Sequence, residues 1–510
     1  MSAPPVPPDR RRRSLLRGTG ALTFAPWLLR QARAAQAPRF GLGIASGQPR
    51  PDGMVLWTRL TGENLPERTT VRWELASDEA FREIVAHGDE TAEAEWAHSV
   101  HAEPVGLAPG RWYWYRFMAL GDRSTVGRTR TAPAAAAAAT LDFAIASCQR
   151  YESGYYAAWR HLAAEGLDLV LFLGDYIYEY GSPADALRRT EGGLVTTLPA
   201  YRARYATYKS DPDLQAAHAS APWLLVWDDH EVGNDYAGLQ GQRLEPDFAV
   251  QRAAAYRAYW EHMPFSKAAR PRGADLRITG RLDWGRLARI HLLDDRQYRD
   301  PQACPKPGRG GSNTVSLEEC PDLADPRRSL LGAEQERWLA EGWDTARPWN
   351  LLAQQTLMAS FSWGGSAQGP VYWTDGWDGY APARKRLLAT VAERAVPGVV
   401  VLGGDVHANY VADLRTDFDK PRSPVVATEF CGTSITSLSH SQLRIDAARR
   451  FNPHIHYGRG DQRGYVRFRL DATQLHADLR VLDDARDPAS GIDSAARFAV
   501  DARRPGAMRR

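Results

Sequence analysis

Beyond Thr140 the chain passes repeatedly through short stretches in which nearly every position is apolar. These are LDFAIASC from Leu141, LDLVLFLGD from Leu167, WLLVWDDHE from Trp223, RLARIHLLDDR from Arg286, WNLLAQQT from Trp349, VPGVVVLGGDVH from Val396 and PVVATEFCGTS from Pro424. A strand with one wet face alternates apolar and polar residues, so stretches apolar throughout predict strands covered on both faces. Between them YYAAWRHLAAEG from Tyr155 and RKRLLATVAERA from Arg384 show the helical period, and strand-helix-strand order predicts a layered α/β core. GYVRFRLDATQLHADLRVLD from Gly464 reads as a hairpin, and the Arg-rich end beyond Phe498 reads as a loose tail.

The region from about Phe40 to Ala132 has a different rhythm. GMVLWTRL, TTVRWELA and WYWYRFMAL are short strands separated by turns with no helical period, which predicts a β-sandwich. The L-x-P-G-x-x-Y run from Leu107 to Tyr113 resembles the tyrosine corner of immunoglobulin or fibronectin-type domains. PAAAAAAT, from Pro133 to Thr140, is a low-complexity link that marks a boundary. The expected organisation is therefore a leader over 1–35, an N-terminal β-sandwich over 36–135, an α/β domain over 141–500 and a tail over 501–510.

The leader is assigned from its own pattern. Arg10 to Arg13 precede Ser14-Leu15-Leu16-Arg17, a short apolar run and the small-residue site Ala32-Arg33-Ala34. Basic, apolar and A-x-A regions in that order make an export signal, and the twin arginines resemble a twin-arginine (Tat) signal, which carries folded cargo. This implies the Tat export machinery as a partner and a periplasmic or extracellular destination. No later segment has the ~20 uninterrupted apolar residues of a membrane helix, so no transmembrane anchor is expected in the mature chain.

Charge and cysteine content narrow the picture further. With 64 basic against 61 acidic residues the net charge is only +3, which gives no support to nucleic-acid binding. Cys304 and Cys320 flank a Gly/Pro-rich loop, and in an oxidising compartment a disulfide would staple it.

Several apolar strands end in metal-capable side chains: Cys148, Asp175 with Tyr178, Asp229-His230 with Asn234, and Asp405 with His407. In α/β sheets the carboxyl ends of strands meet at one edge, so clusters far apart in sequence can share one site. Singly each has an ordinary explanation, such as a buried thiol at Cys148, a turn at Gly174-Asp175 or a packed ring at Tyr178. Together they read as a polynuclear metal site with a carboxylate able to bridge ions. His230 is the candidate general acid or phosphate-orienting donor, and Arg150 and Arg296 are weaker candidates for a phosphate clamp. Cys431 is expected to be a buried thiol, and His218, His262, His291, His440, His454 and His456 are expected to be structural or exposed.

The strings SCQRYESGYYAAWRHL, LGDYIYEY, WDDHEVGNDYAG, LLDDRQYRD, GGDVHANYVADL and EFCGTSITS resemble the PhoD family of alkaline phosphatases and phosphodiesterases, within the calcineurin-like metallophosphoesterase superfamily. The resemblance runs over essentially the whole chain. It implies a four-layer α-β-β-α sandwich preceded by an immunoglobulin/fibronectin-like domain, with one ferric ion (Fe3+) and two calcium ions (Ca2+). It makes Cys148 and Tyr178 iron ligands, Asp175 the bridging carboxylate, and Asp229, Asn234, Asp405 and His407 further ligands whose division between iron and calcium the motifs leave open. Thiolate and phenolate suit a ferric ion, and carboxylate and amide oxygens suit calcium.

The function expected is hydrolysis of phosphate monoesters, diesters or both by metal-activated attack on phosphorus, on small organic phosphate esters. A phospholipase D-like phosphodiesterase of the same family is the main alternative, and a non-catalytic extracytoplasmic binding protein is the alternative of another class. There is no G-x-S-x-G elbow and no H-E-x-x-H motif to suggest a serine or zinc hydrolase.

Overall fold

The computed structural model describes residues 38–366, 369–420 and 422–510, and the leader expected over 1–35 lies outside them. The apolar strands fall into two sheets. In the first, Leu141–Ala146, Leu169–Phe172 and Trp223–Leu225 run parallel to one another. In the second, Ala288–Leu292, Trp349–Ala353, Val399–Gly403 and Val425–Cys431 do the same. Parallel pairing brings the carboxyl ends within each set to a common edge, where the candidate ligands follow.

The reason for the uninterrupted apolar runs is visible in how alternate residues are used. Leu351, Ala353, Val400 and Leu402 belong to a core shared with Phe143, Ile145, Val466 and Phe468 of the first sheet. Their neighbours Leu352, Val399 and Val401 pack instead with Leu339, Leu388 and Val391, which lie on the helices Gly332–Gly342 and Ala381–Glu393. Each strand thus feeds two cores, which a polar residue on either face would break.

The N-terminal strands do not keep to a sheet of their own. Arg68–Ala76 and Trp112–Ala119 form the centre of a five-stranded antiparallel sheet, with Ile84–Glu93 at one edge. Ile44–Arg50, Gly53–Arg59 and Ser99–Ala102, however, extend the first sheet, because Gly47 pairs in parallel with Trp223. The Tyr113 hydroxyl accepts from the Ala108 amide at 3.0 Å and donates to the Ala108 carbonyl at 3.3 Å, closing the loop that the L-x-P-G-x-x-Y run announced.

The C-terminus corrects one expectation. Residues beyond Phe498 are no loose tail: Ile492–Asp501 pairs with Gln474–Leu482, and Arg504–Arg509 then forms the edge of the first sheet. The strand begins at Arg504 and Pro505 and ends at Arg509, and an edge strand carrying charge and a proline deters further pairing.

Cys304 and Cys320 are bridged, as expected. The closed loop contains the strand Thr314–Ser316, which pairs with Gly369–Trp373 beside the site described below. Replacing both cysteines with serine removes a closure of 16 residues and is expected to cost about 2–3 kcal/mol. A calorimetric midpoint equal to that of the parent protein would contradict this.

Candidate metal centre

The ligand candidates sit where the strands stop, and the backbone there is unusual. Cys148, Asp175, Asp405 and His407 all have left-handed φ, between 56° and 63°. Non-glycine residues adopt that region at a cost of order 1 kcal/mol or more each, so four at one site mark a geometry held by its surroundings. One support is Glu231, whose buried carboxylate accepts from the amides of Asp175 at 3.0 Å, Tyr176 at 2.6 Å and Asp228 at 2.9 Å. Burial first, and the Asp175 charge second, push the Glu231 carboxyl up to about 8.

Three groups of donor atoms result, the atoms within each lying no more than 4.8 Å apart: Cys148 with Asp175 and His407, Asp175 with Asp229 and His230, and Asp228 with Asp229 and Asp405. Asp175 belongs to two groups and so does Asp229, so the three are joined through shared carboxylates. Tyr178 completes the first group, its hydroxyl donating to Asp175 Oδ2 at 2.8 Å and lying 3.3 Å from His407 Nε2. The imidazole of His407 points Nδ1 at the Leu438 carbonyl, 2.7 Å away, which fixes that nitrogen as the N–H and leaves Nε2 as the lone-pair donor. Asn234 lines the same cavity, and its amide donates to Glu179 Oε1 at 2.8 Å.

The oxygens left over decide whether cations fit. Asp175 Oδ1, Asp228 Oδ2 and Asp229 Oδ1 are buried without a hydrogen-bond partner. Buried carboxylate oxygens are ordinarily paired, so three orphans converging in one place match a site built for positive ions. Electrostatics say the same. Burial and then neighbouring carboxylates, against the pull of Arg296, push the Asp228 and Asp405 carboxyls well above the ordinary range. Burial and the Asp175 charge likewise push the Cys148 thiol and the Tyr178 hydroxyl up. So many crowded acids ionise together only with a strong local positive charge.

His230 is set differently. Its Nδ1 lies 2.7 Å from Glu179 Oε2, while the residue borders the cavity. Burial lowers its pKa, but Glu179, Asp229 and Asp175 outweigh burial and raise it well above the usual histidine value.

A family model described as PhoD-like phosphatase matches residues 143–479, and one described as its N-terminal domain matches 26–133. The chain belongs to the PhoD-like phosphatase family. Alkaline phosphatase D of Bacillus subtilis (strain 168) is 44% identical over 479 residues, covering 90% of this chain and 80% of that protein. A solved structure of PhoD superposes with a TM-score of 0.88 at 42% identity, covering 93% of this chain and 92% of that one. A purple acid phosphatase from yellow lupin, Lupinus luteus, shares the fold with a TM-score of 0.54 at 11% identity, over 91% of this chain and 74% of that one. This PhoD-like phosphatase is a phosphoric ester hydrolase with a metallophosphoesterase-like fold and an N-terminal β domain.

Some residues of this PhoD-like phosphatase escape a reading by motif. Asp228 and Glu231 stood in an acidic row beside Asp229, yet one joins the third donor group and the other holds three backbone amides. Ser437 was not singled out at all; its hydroxyl bridges Tyr178 Oη at 2.7 Å and the Cys148 carbonyl at 2.8 Å. Arg296 is no phosphate clamp, being 1% exposed and bound to Asp228 and, at 2.7 Å, to Asp375. Arg150 lies 5.7 Å from the Tyr178 ring centroid and 3.8 Å from Glu152. His440, expected to be structural or exposed, is exposed and borders the cavity, as does Arg444. Cys431 is buried, its thiol donating to the Gly404 carbonyl at 3.2 Å.

Proposed function

We propose that this PhoD-like protein is an exported alkaline phosphatase, hydrolysing phosphomonoesters, phosphodiesters or both, whose activity depends on one ferric and two calcium ions. The observation that carries the reading is the chain of three donor groups joined through Asp175 and Asp229, with buried oxygens left unpartnered. Cys148, Tyr178, Asp175 and His407 would hold the ferric ion. Asp229, Asn234 and Asp405 would serve calcium, with Asp175 and Asp229 shared between ions. The cations, when bound, supply positive charge for the phosphate oxygens and acidify the attacking water.

The protein's own part is to position and to move protons. His230, braced by Glu179, presents Nε2 to the cavity, where it donates to the phosphate or to the departing alkoxide. Glu179 keeps that ring oriented and also fixes the Asn234 backbone. Ser437 holds the Tyr178 hydroxyl and the Cys148 carbonyl in place. The low exposure of Cys148 and Tyr178, 1% and 3%, keeps water from two oxidisable or protonatable donors.

The wider architecture is read the same way. We take the two sheets and their outer helices as the four-layer α-β-β-α sandwich over 141–500, preceded over 36–135 by an immunoglobulin/fibronectin-like domain; the Tyr113 to Ala108 bonds support the second assignment. Residues 1–35 serve as a Tat signal, delivering the folded enzyme to the periplasm or beyond.

Metal analysis with an absorption spectrum tests the assignment. Protein purified without chelator is expected to contain iron and to show a visible band that Tyr178→Phe abolishes, and exhaustive chelation is expected to abolish activity. A colourless, iron-free and fully active protein would refute it.

A further inference from the structure

Asp175, Asp229, Asn234, Asp405 and His407 border a cavity of about 600 Å³. The same cavity has a wall of Trp363, Trp373, Leu438, His440 and Arg444, with the buried Tyr410 also bordering it. This is no extension of the core. Leu438 is 75% exposed, and His440 and Arg444 are exposed too. Leaving a leucine and two half-covered indoles in water forgoes the gain of burying them. Apolar surface kept open in the same cavity as a charged centre is the arrangement of a ligand pocket.

The wall is also braced as a platform. The Trp363 ring meets His440 at 4.7 Å and Phe361 at 4.8 Å, both edge to face, and the Arg444 guanidinium lies 4.5 Å from the Trp363 ring centroid. These contacts hold the indole on several sides and restrict its rotamers. The platform is tied to the reaction centre through the segment 434–440. Ser437 bonds Tyr178, the Leu438 carbonyl accepts from His407, and Arg463 grips Ser434 Oγ at 2.8 Å. A phosphate group held at that centre would therefore keep a fixed relation to the wall.

We propose that this wall is a substituent subsite, which selects phosphate esters carrying a flat aromatic or similarly apolar alcohol. The inference rests on the hydrolase reading above and extends it to the class of ester. Trp363 supplies the stacking face, Leu438 the apolar edge, and Arg444 a cation at the open rim.

The test compares an aromatic and a small ester within each ester class. The monoester pair is 2-naphthyl phosphate and glycerol 2-phosphate; the diester pair is bis(4-nitrophenyl) phosphate and glycerophosphoethanolamine, which has no aromatic group. Trp363→Ala is expected to lower the aromatic-to-small ratio of kcat/KM about tenfold, mainly through KM. Leu438→Asn, at an exposed position, is expected to lower the same ratio about threefold without disturbing packed residues. A ratio that stays within about twofold of the parent in both variants, whether or not overall activity drops, overturns the subsite. A parent protein that hydrolyses neither pair refutes the hydrolase reading instead, so the two failures are told apart.

Discussion

Asp175→Ala is expected to lower kcat/KM about a thousandfold or more on every phosphate ester, and to lower bound metal in the same preparation. Among the described residues only Asp229 likewise belongs to two donor groups. The Asp175 carboxylate joins the Cys148 and His407 group to the Asp229 and His230 group, so its loss opens both at once. Asp175→Asn sharpens the test, because an amide keeps the shape and one acceptor oxygen but gives up the negative charge that bridging requires. Steady-state kinetics and metal analysis on both variants check the point. Residual activity above about a tenth of the parent's would show that Asp175 bridges nothing.

Arg296→Met is expected to destabilise the fold by about 3–5 kcal/mol, through the acids it leaves behind. Burial alone would lower the Arg296 pKa, but Asp228, Asp375 and Asp229 raise it well above the ordinary value. The guanidinium binds Asp228, contacts Asp375 at 2.7 Å and lies 3.7 Å from Asp229, all with 1% of its side chain exposed. Taking it away leaves buried carboxylates facing one another. Bound cations would neutralise Asp228 and Asp229 in part, so the loss should be larger after chelation than in metal-replete protein. Arg296→Lys keeps the charge but not the fork that reaches two carboxylates, and should fall between the two. Denaturant titrations with and without chelator measure all three; equal midpoints for parent and Met variant would remove Arg296 from this role.

These two residues also show how differently the site could be read from the chain. Asp175 was visible because LDLVLFLG delivers it straight out of an apolar strand, and the same signal exposed Cys148, Asp229, Asp405 and His407. Arg296 follows a strand in the same way, within LLDDR, which made it a weaker candidate for a phosphate clamp. Nothing in the local pattern tells a side chain that faces the cleft from one turned beneath it, because both follow a buried strand. Glu231 was lost inside an acidic row for a similar reason: its value lies in three amides from two segments, 56 residues apart at most.

The N-terminal region teaches a related lesson. Its short strands were legible from alternation, but the parallel pairing of Gly47 with Trp223 joins positions far apart in the chain. The C-terminal arginines looked like a tail because their charges conceal an edge strand, which tolerates polar residues on its outer positions. The aromatic wall left no motif at all, since Trp363 and Trp373 come from the paired strands Ser362–Ser366 and Gly369–Trp373, and Arg444 from the distant helix Gln442–Arg449.

By itself, then, the amino-acid sequence determined the strands, their buried character, the disulfide-bridged pair and the kinds of donor at the strand ends. Those are properties of hydrophobic period and side-chain chemistry, which act over a few residues. Only the tertiary structure decided which carboxylates belong to two donor groups, which arginine is buried beside them, and which side chains share their cavity. Such facts depend on how distant segments cross, and on left-handed turns at Cys148, Asp175, Asp405 and His407 that no residue type there announces.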